Sequence, residues 1–223
     1  MDIKKMQVLF SPGRMSTYID LAKLKHKNPE TLYLLNAQVS EAFHFPLHIF
    51  EIMLRNVIDQ AISKAYGADW HLNSVFFSRL DKYRKQNLND SIQKNTMKHT
   101  GRVPKGKVIA DLSLSFWVYM MSDHQHRSLW TNNFYTSFVN YKNINPKSKN
   151  STAARRALYN ELRKIQWLRN RVAHYEPILK LNMLAEYDKV MKIIKYIDLD
   201  AFNWVQTNQK ATHCINVLNQ YTL

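Results

Sequence analysis

The residues best suited to chemistry lie close together near position 170. Arg169, Asn170 and His174 fall within the segment WLRNRVAHYEP, residues 167–177. RNA carries its own nucleophile, the 2′-hydroxyl group. An enzyme that cuts RNA therefore needs a group that moves protons near neutral pH and a cation that balances charge on the phosphate. His174 has the first property and Arg169 the second, so the segment predicts metal-independent RNA cleavage.

A plainer interpretation of this segment stays open. Cations are favoured at the end of a helix, where they meet the last carbonyl groups. An arginine followed at short distance by a histidine is also common by chance in a basic chain. The polar Asn170 after Arg169 and the basic surroundings of the pair add weight to the catalytic interpretation, but on the segment alone the helix-end interpretation is the favoured one.

The positive charge of the chain is concentrated in two segments. The net charge is +15. Residues 79–107 hold nine basic and two acidic residues, a net charge of +7, and residues 142–171 hold nine basic and one acidic residue, a net charge of +8. Such clustering is typical of a protein that binds a polyanion, usually nucleic acid. A solvated face that aids solubility is the alternative.

Basic side chains of these segments are the candidate RNA contacts. They are Arg102, Lys105, Lys107, Lys147, Lys149, Arg155, Arg156, Arg163 and Arg171. Residues 99–107 and 142–150 are predicted to be basic loops, and loops of this kind can order on a phosphate backbone.

The composition predicts helices rather than strands. Four glycines and six prolines are few for 223 residues, which argues against the many tight turns of a β-sandwich or barrel. The single cysteine, Cys214, excludes an internal disulfide framework and fits a reducing compartment. No signal peptide and no run of about eighteen apolar residues is evident. We expect one all-α domain over residues 1–223, cytoplasmic, without a membrane span, cofactor or metal.

Apolar periodicity and capping residues place the helices. Helices are predicted over residues 12–25, from 29 to a bend or stop near Pro46, and over 50–65, 78–95, 108–121, 151–176, 182–197 and 200–223. Glu51, Arg55 and Asp59 are spaced four apart and predict a surface ion-pair ladder. The alternative is that Glu51, Arg55 or Asn56 orients the catalytic groups.

The helix that carries the motif begins at Ser151 or Thr152, which can cap it, and ends by Glu176 because Pro177 follows. An apolar stripe, interrupted at residue 161, runs along it from 154 to 172. The last core candidates are Phe202, Trp204, Val205, Ile215 and Leu218.

One regular helix cannot easily aim both catalytic groups at the same phosphate. Five residues separate Arg169 from His174, which puts them about 140° apart on the helix. A distorted last turn or a second copy of the chain would remove this difficulty, and the apolar stripe is then the predicted dimer seam. A buried Arg169 paired with Glu51 or Glu161 is the structural alternative.

Several motifs, taken in order, resemble the Abi-like (AbiD/AbiF type) abortive-infection proteins. They are residues 10–18 (FSPGRMSTY), 33–36 (YLLN), 51–56 (EIMLRN), 66–70 (YGADW), 115–117 (SFW) and 168–177 (LRNRVAHYEP). The set is much more specific than any one motif. Beyond about Lys180 the chain carries none of them.

The resemblance implies a HEPN-type helical bundle with additional flanking helices. The family hallmark, an arginine, a polar residue and a later histidine, maps onto Arg169, Asn170 and His174. It implies a metal-independent endoribonuclease whose site forms in a homodimer. It also implies a toxin-like role in antiviral defence, with RNA as substrate and a protein antitoxin or a small regulatory RNA as restraint.

Two other function classes remain open on the sequence. A non-catalytic protein that holds a small structured RNA would bind through the two basic segments, with affinity that falls steeply with salt. A structural role would use the motif helix only as a dimer seam.

Overall fold

The computed structural model describes residues 1–98, 104–148 and 150–222. Within these residues the chain forms α-helices with short 3₁₀ and π turns and no strand, so the expected all-α fold is confirmed. The helices are α1 Ile3–Phe10, α2 Pro12–Lys25, α3 Pro29–Tyr66, α4 Ser74–Ser78, α5 Lys82–Lys98, α6 Lys105–Asp111, α7 Leu114–Tyr119, α8 Phe134–Ser137, α9 Tyr141–Ile144, α10 Ser151–Ala173, α11 Met183–Ile197, α12 Leu199–Asn208 and α13 Ala211–Thr222.

The long helix α3 organises the fold. Asn28 caps its start by accepting hydrogen bonds from the N–H groups of Glu30 and Thr31 at 2.8 and 3.2 Å. The helix ends at Gly67, whose φ of 90° a residue with a side chain rarely adopts. Along its 38 residues α3 contacts α2, α7, α10, α11 and α13. It is the common support for the helices that carry the predicted site.

Helix α3 continues through Pro46, so the predicted stop there is wrong, and the alternative of a bend stays a prediction. Proline removes one helical hydrogen bond and crowds the preceding turn, at a cost of about 3 kcal/mol. Pro46 is buried, and the neighbouring Phe43, Leu47 and Phe50 are buried with it. Burial of each large apolar side chain contributes about 1.5–3 kcal/mol. Packing on both sides of Pro46 therefore outweighs its local cost.

Several predicted helices are shorter because a polar side chain caps a break. Asp81 accepts from the N–H of Arg84 at 2.8 Å and separates α4 from α5. Gln209 accepts from the N–H of Thr212 at 3.0 Å and separates α12 from α13. Asn150, rather than Ser151 or Thr152, caps α10. Short polar side chains compete for backbone hydrogen bonds, which apolar periodicity does not register.

The predicted buried helix over residues 108–121 is divided into α6 and α7. Leu112 and Ser113 have extended backbone, and the Ser113 hydroxyl donates to Oδ1 of Asn87 at 3.2 Å. The predicted core positions of Phe116 and Trp117 are confirmed, since both are fully buried.

Two apolar clusters hold the helices together. The larger one surrounds α3 and includes three buried tryptophans. The smaller one joins α1, α2 and the start of α3 through Met6, Met15, Tyr18, Ala22 and Leu32. Among the core candidates of the C-terminal region, Val205, Ile215 and Leu218 are buried, whereas Trp204 is exposed and its prediction is wrong.

Helix α10 buries its apolar stripe inside this chain. Ala154, Leu158, Ile165, Leu168 and Val172 are buried, and α10 contacts α3, α7 and α11. The stripe is therefore confirmed as a core face. The prediction that it forms a dimer seam is wrong, because other helices of the same chain already cover it.

None of the helices in the described part of the chain has the length and apolar character needed to span a membrane.

Candidate active site

The C-terminal end of α10 is a tight, hydrogen-bonded turn capped by His174. The N–H of Glu176 donates to the carbonyl oxygen of Arg171 at 2.9 Å, and the N–H of Tyr175 donates to that of Val172 at 3.2 Å. This pair of bonds defines a Schellman motif, in which the residue after the cap is left-handed. Tyr175 has the required φ of 56°. The helix thus ends in a defined corner that carries the imidazole.

Two long-range hydrogen bonds fix this turn to the fold. Arg14 of α2 donates from Nη1 to the carbonyl oxygen of Tyr175 at 2.8 Å. The N–H of Ile178 donates to Oδ1 of the buried Asn36 on α3 at 2.8 Å. His174 is exposed and directly precedes the first of these two anchors in the sequence. Its side chain therefore meets solvent from a backbone that α2 and α3 hold in place.

Arg171 binds two residues of the turn that follows α10. Its Nη2 donates to the carbonyl oxygen of Pro177 at 2.6 Å, and its Nη1 lies 3.2 Å from the carboxylate of Glu176. The guanidinium also lies over the ring of Trp167, 4.9 Å from its centroid. These contacts give Arg171 a positioning role in the turn, and its contact with RNA stays a prediction.

The left-handed backbone of Tyr175 is expected to lower the free energy of unfolding. We expect Tyr175→Gly to be more stable than Tyr175→Ala by about 1 kcal/mol, because glycine adopts this conformation without a Cβ clash. Tyr175 is 72% exposed, so removal of its side chain loses little burial in either variant. Urea denaturation measures the difference. Equal stability of the two variants would show that the turn carries no backbone strain.

Arg169 faces α3, on the side of Glu51. Its Nε donates to Oε2 of Glu51 at 3.1 Å. Glu51 is buried and also binds Arg55. Arg169 is therefore paired with Glu51, as the structural alternative in the sequence analysis predicts. The Arg169 side chain is nevertheless 37% exposed, and this bond uses only Nε. Glu51 thus orients the guanidinium without enclosing it.

A small cleft of 140 Å³ lies beside Arg169. Its walls include His44 and His48 of α3 together with Glu51 and Ala173. The two histidines were not among the predicted site residues. Their spacing, with Glu51 three residues beyond His48, follows the i, i+4, i+7 rule and puts all three on one face of α3. That spacing is the sequence signal that marks them.

Asn170 lines a different cleft, on the α7 side of α10. This cleft has a volume of 510 Å³ and is bordered by Arg163, Trp167 and Asn170 of α10 and by Tyr119 of α7. Successive residues of a helix point about 100° apart. One chain therefore presents Arg169 and Asn170 on different surfaces, and His174 lies past the helix end.

The exposed face of α10 carries a basic stripe, formed by Arg156, Arg163, Lys164 and Trp167, that leads toward the turn. All four side chains are exposed, and Lys189 of α11 shares a second cleft of 510 Å³ with the middle of the stripe. Cations beside an exposed aromatic ring suit a nucleic-acid strand, because the cations can bind phosphates while the ring stacks on a base.

Arg155 is adjacent in sequence but does not belong to the basic stripe. It is 0% exposed. Its guanidinium donates to the carbonyl oxygen of Met121 and pairs with Asp123. The prediction that Arg155 contacts RNA is wrong, because its charge is used inside the fold to hold the segment after α7.

In the described part of the chain, the ladder predicted for Glu51, Arg55 and Asp59 forms only between the first two residues, and Glu51 is buried rather than at the surface. Glu51 and Arg55 bind each other beside Arg169, and a role of this pair in orienting the catalytic groups stays a prediction. Asp59 instead accepts from Nε1 of Trp70 at 2.6 Å and lies 2.9 Å from Nζ of Lys105. Lys105, a candidate RNA contact, is therefore engaged with α3.

Five predicted site residues have not yet been placed. Lys107, Lys147 and Asn56 are exposed. Arg102 and Lys149 lie outside the described residues. The basic stripe of α10 is therefore the best candidate surface for RNA among the described residues.

Among the described residues, no group of three or more His, Cys, Asp or Glu side chains is arranged to hold a metal ion. Comparison of the chain with protein-family models, with curated proteins and with solved structures finds no match.

Proposed function

We propose that the protein is a metal-independent endoribonuclease. One observation carries the proposal: the exposed His174 stands on a turn held by α2 and α3, at the end of the basic stripe. General acid–base catalysis needs a proton-transfer group on a rigid support. The basic stripe supplies affinity for the phosphate backbone.

The proposed reaction breaks the bond between phosphorus and the 5′-oxygen of the next nucleotide. The 2′-oxygen attacks the phosphorus and loses its proton to a base, and the departing 5′-oxygen takes up a proton. The products are a 2′,3′-cyclic phosphate and a 5′-hydroxyl. His174 moves protons, Arg169 stabilises the charged phosphorane, and Asn170 orients the phosphate or the imidazole.

The site is proposed to form between two copies of the chain. Arg169 borders the small cleft against α3, whereas His174 lies past the end of α10. On a regular helix a separation of five residues corresponds to about 140°. A homodimer places Arg169 of one protomer opposite His174 of its partner, and twofold symmetry then creates two such sites. Because the apolar stripe of α10 is buried, the copies meet instead across the face that carries Arg169. Ile52, 41% exposed on α3, supplies an apolar side chain to that face.

Glu51 is compatible with a catalytic Arg169. The carboxylate holds Nε, and within the described residues the two Nη groups have no protein partner. A guanidinium binds a phosphate through pairs of N–H groups, so the Nη groups are the ones needed. Arg55 shares the charge of Glu51, which leaves Arg169 with a net attraction for the phosphate.

A second candidate is an RNA-binding protein that cuts nothing. It is favoured by the ion pair of Arg169 with Glu51, which gives the arginine a structural role. RNA retention would then fall steeply with salt and would be unchanged by His174→Ala.

The decisive assay treats the purified full chain with a chelator and supplies mixed RNAs. We expect cleavage to continue and to leave 2′,3′-cyclic phosphate ends, because neither the nucleophile nor the proton transfer needs a metal. RNA methylated on its 2′-oxygens is the matched control and is expected to stay intact. Cleavage that stops with the chelator, or that proceeds on the methylated RNA, would contradict the mechanism.

In the cell we propose a toxin-like role in antiviral defence, restrained by a protein or a small RNA. The family resemblance supports this part of the proposal. Expression of the wild-type chain is then expected to arrest growth, and expression of an inactive variant is not.

A further inference from the structure

A cavity of 640 Å³ lies between α1, α2, α3 and the turn that follows α10. Its size falls within the range of small-molecule sites, about 300–1,000 Å³. It shares Val172 and His44 with the small cleft beside Arg169. The cavity is therefore a neighbour of the proposed catalytic groups, and none of the functions considered above uses it.

Aromatic rings line the cavity on the side of α1 and α2. The rings of Phe10 and Tyr33 are stacked, with centroids 5.1 Å apart and planes 10° apart. Tyr18 meets Tyr33 edge-on at 5.0 Å. Tyr175 also lines the cavity and is largely exposed. Flat aromatic surfaces of this kind bind nucleic-acid bases by stacking.

The α3 wall of the cavity holds a buried hydroxyl that has no partner. Ser40 is 8% exposed, and its Oγ makes no hydrogen bond within the described residues. A buried polar atom without a partner costs free energy, and such atoms call for an explanation. A ligand that bonds to Ser40 removes this cost.

Further hydrogen-bond donors surround the same space. Asn36 uses its Oδ1 for the turn after α10, which leaves its amide nitrogen as a donor. Burial and the neighbouring Tyr33 raise the pKa of Tyr18 to about 12, so its hydroxyl keeps its proton at neutral pH. Arg14 and His44 also line the cavity, beside the aromatic rings. Hydrogen-bond donors next to aromatic rings suit a ligand with acceptor atoms on a flat ring.

Glu41 adds a carboxylate to the wall of the cavity. It is exposed and forms no ion pair with any described residue. A carboxylate accepts a pair of neighbouring N–H groups well. The ligand should therefore present paired donors on one edge and acceptors elsewhere.

We infer that this cavity binds a guanine base. Guanine presents N1–H and N2–H side by side for Glu41, and its O6 and N7 accept from hydroxyl and amide donors. Adenine turns its N1 acceptor toward a carboxylate, and the pyrimidines lack the paired donors. The inference that the cavity binds guanine does not depend on the proposed function. The further step, that this guanine belongs to an RNA substrate, rests on the proposed function. The cavity adjoins the cleft beside Arg169 at Val172. When a guanine is bound in the cavity, the phosphate attached to its sugar is expected to lie near Arg169, so we expect cleavage next to a guanosine.

The test measures binding of guanosine 5′-monophosphate to the full chain by calorimetry, against the adenosine, cytidine and uridine monophosphates and inorganic phosphate. We expect the guanosine nucleotide to bind at least about tenfold more tightly than the others. Glu41→Gln is expected to weaken its binding by about tenfold and to remove the preference over adenosine. Asp20→Asn, which neutralises an exposed carboxylate of α2, is the matched control and is expected to change nothing.

A second variant separates ligand binding from folding. Ser40→Ala removes the unpaired hydroxyl, so we expect unchanged or higher thermal stability together with weaker binding of guanosine 5′-monophosphate. Equal binding of the four nucleotides, binding no tighter than that of phosphate alone, or no binding would overturn the inference.

Mapping the RNA cut sites keeps this inference distinct from the proposed function. Selective guanosine binding without any RNA cleavage supports the cavity and rejects the nuclease. Cleavage at sites without guanosine, together with no nucleotide binding, rejects the cavity and leaves the nuclease intact.

Discussion

A His174→Ala protein is expected to cut RNA at least about a hundredfold more slowly than the wild type, since general acid–base catalysis by one side chain is worth about 10² to 10⁴ in rate. The side chain is exposed and its backbone bonds remain in the variant. The free energy of unfolding is therefore expected to change by less than about 0.5 kcal/mol. Initial rates on one labelled RNA, with chelator present, measure the effect.

His213→Ala is the matched control for this substitution. His213 is an exposed histidine on α13, and its removal is expected to leave the rate unchanged. Equal cleavage by wild type and His174→Ala would remove His174 from the mechanism. If both retain RNA and neither cuts it, the non-catalytic RNA-binding candidate is correct.

An Arg169→Ala protein is expected to lose about 10² to 10³ in cleavage rate, because charge on the phosphorane is no longer balanced. Arg169→Lys is expected to recover only part of this loss, since an ammonium group lacks the planar fork that binds two phosphate oxygens. Glu51 keeps Arg55 as a partner, and the lost ion pair is partly exposed. Stability is therefore expected to fall by less than about 1 kcal/mol.

The control for Arg169 is Arg127→Ala, which removes an exposed arginine that belongs to none of the proposed contacts. Its cleavage rate is expected to match that of the wild type. A full rate in Arg169→Ala would assign Arg169 a purely structural role with Glu51.

Local sequence patterns predict much of this fold. The scarcity of glycine and the apolar periodicity predict helices, and α2 and α11 begin and end close to where capping and periodicity place them. The errors come from two causes. Core packing carries α3 through Pro46, and side-chain caps such as Gln209 divide helices that apolar periodicity joins.

The candidate site was only partly predictable. Pro177 predicts that α10 ends by Glu176, which is confirmed, since the helix ends at Ala173 with His174 as its cap. The bonds that hold the turn join Arg14 to Tyr175 and Asn36 to Ile178, pairs separated by 161 and 142 residues. No local pattern reports contacts at that separation, so the anchoring of the imidazole could be found only in the folded chain.

The most direct test of the central claim mixes two inactive proteins, His174→Ala and Arg169→Ala, under conditions in which subunits exchange. In a mixed dimer one site keeps Arg169 from one chain and His174 from the other, while the second site lacks both. Random exchange makes half of the dimers mixed, so we predict recovery of about a quarter of the wild-type rate. Subunit exchange with no recovery of cleavage would contradict a site shared between two chains.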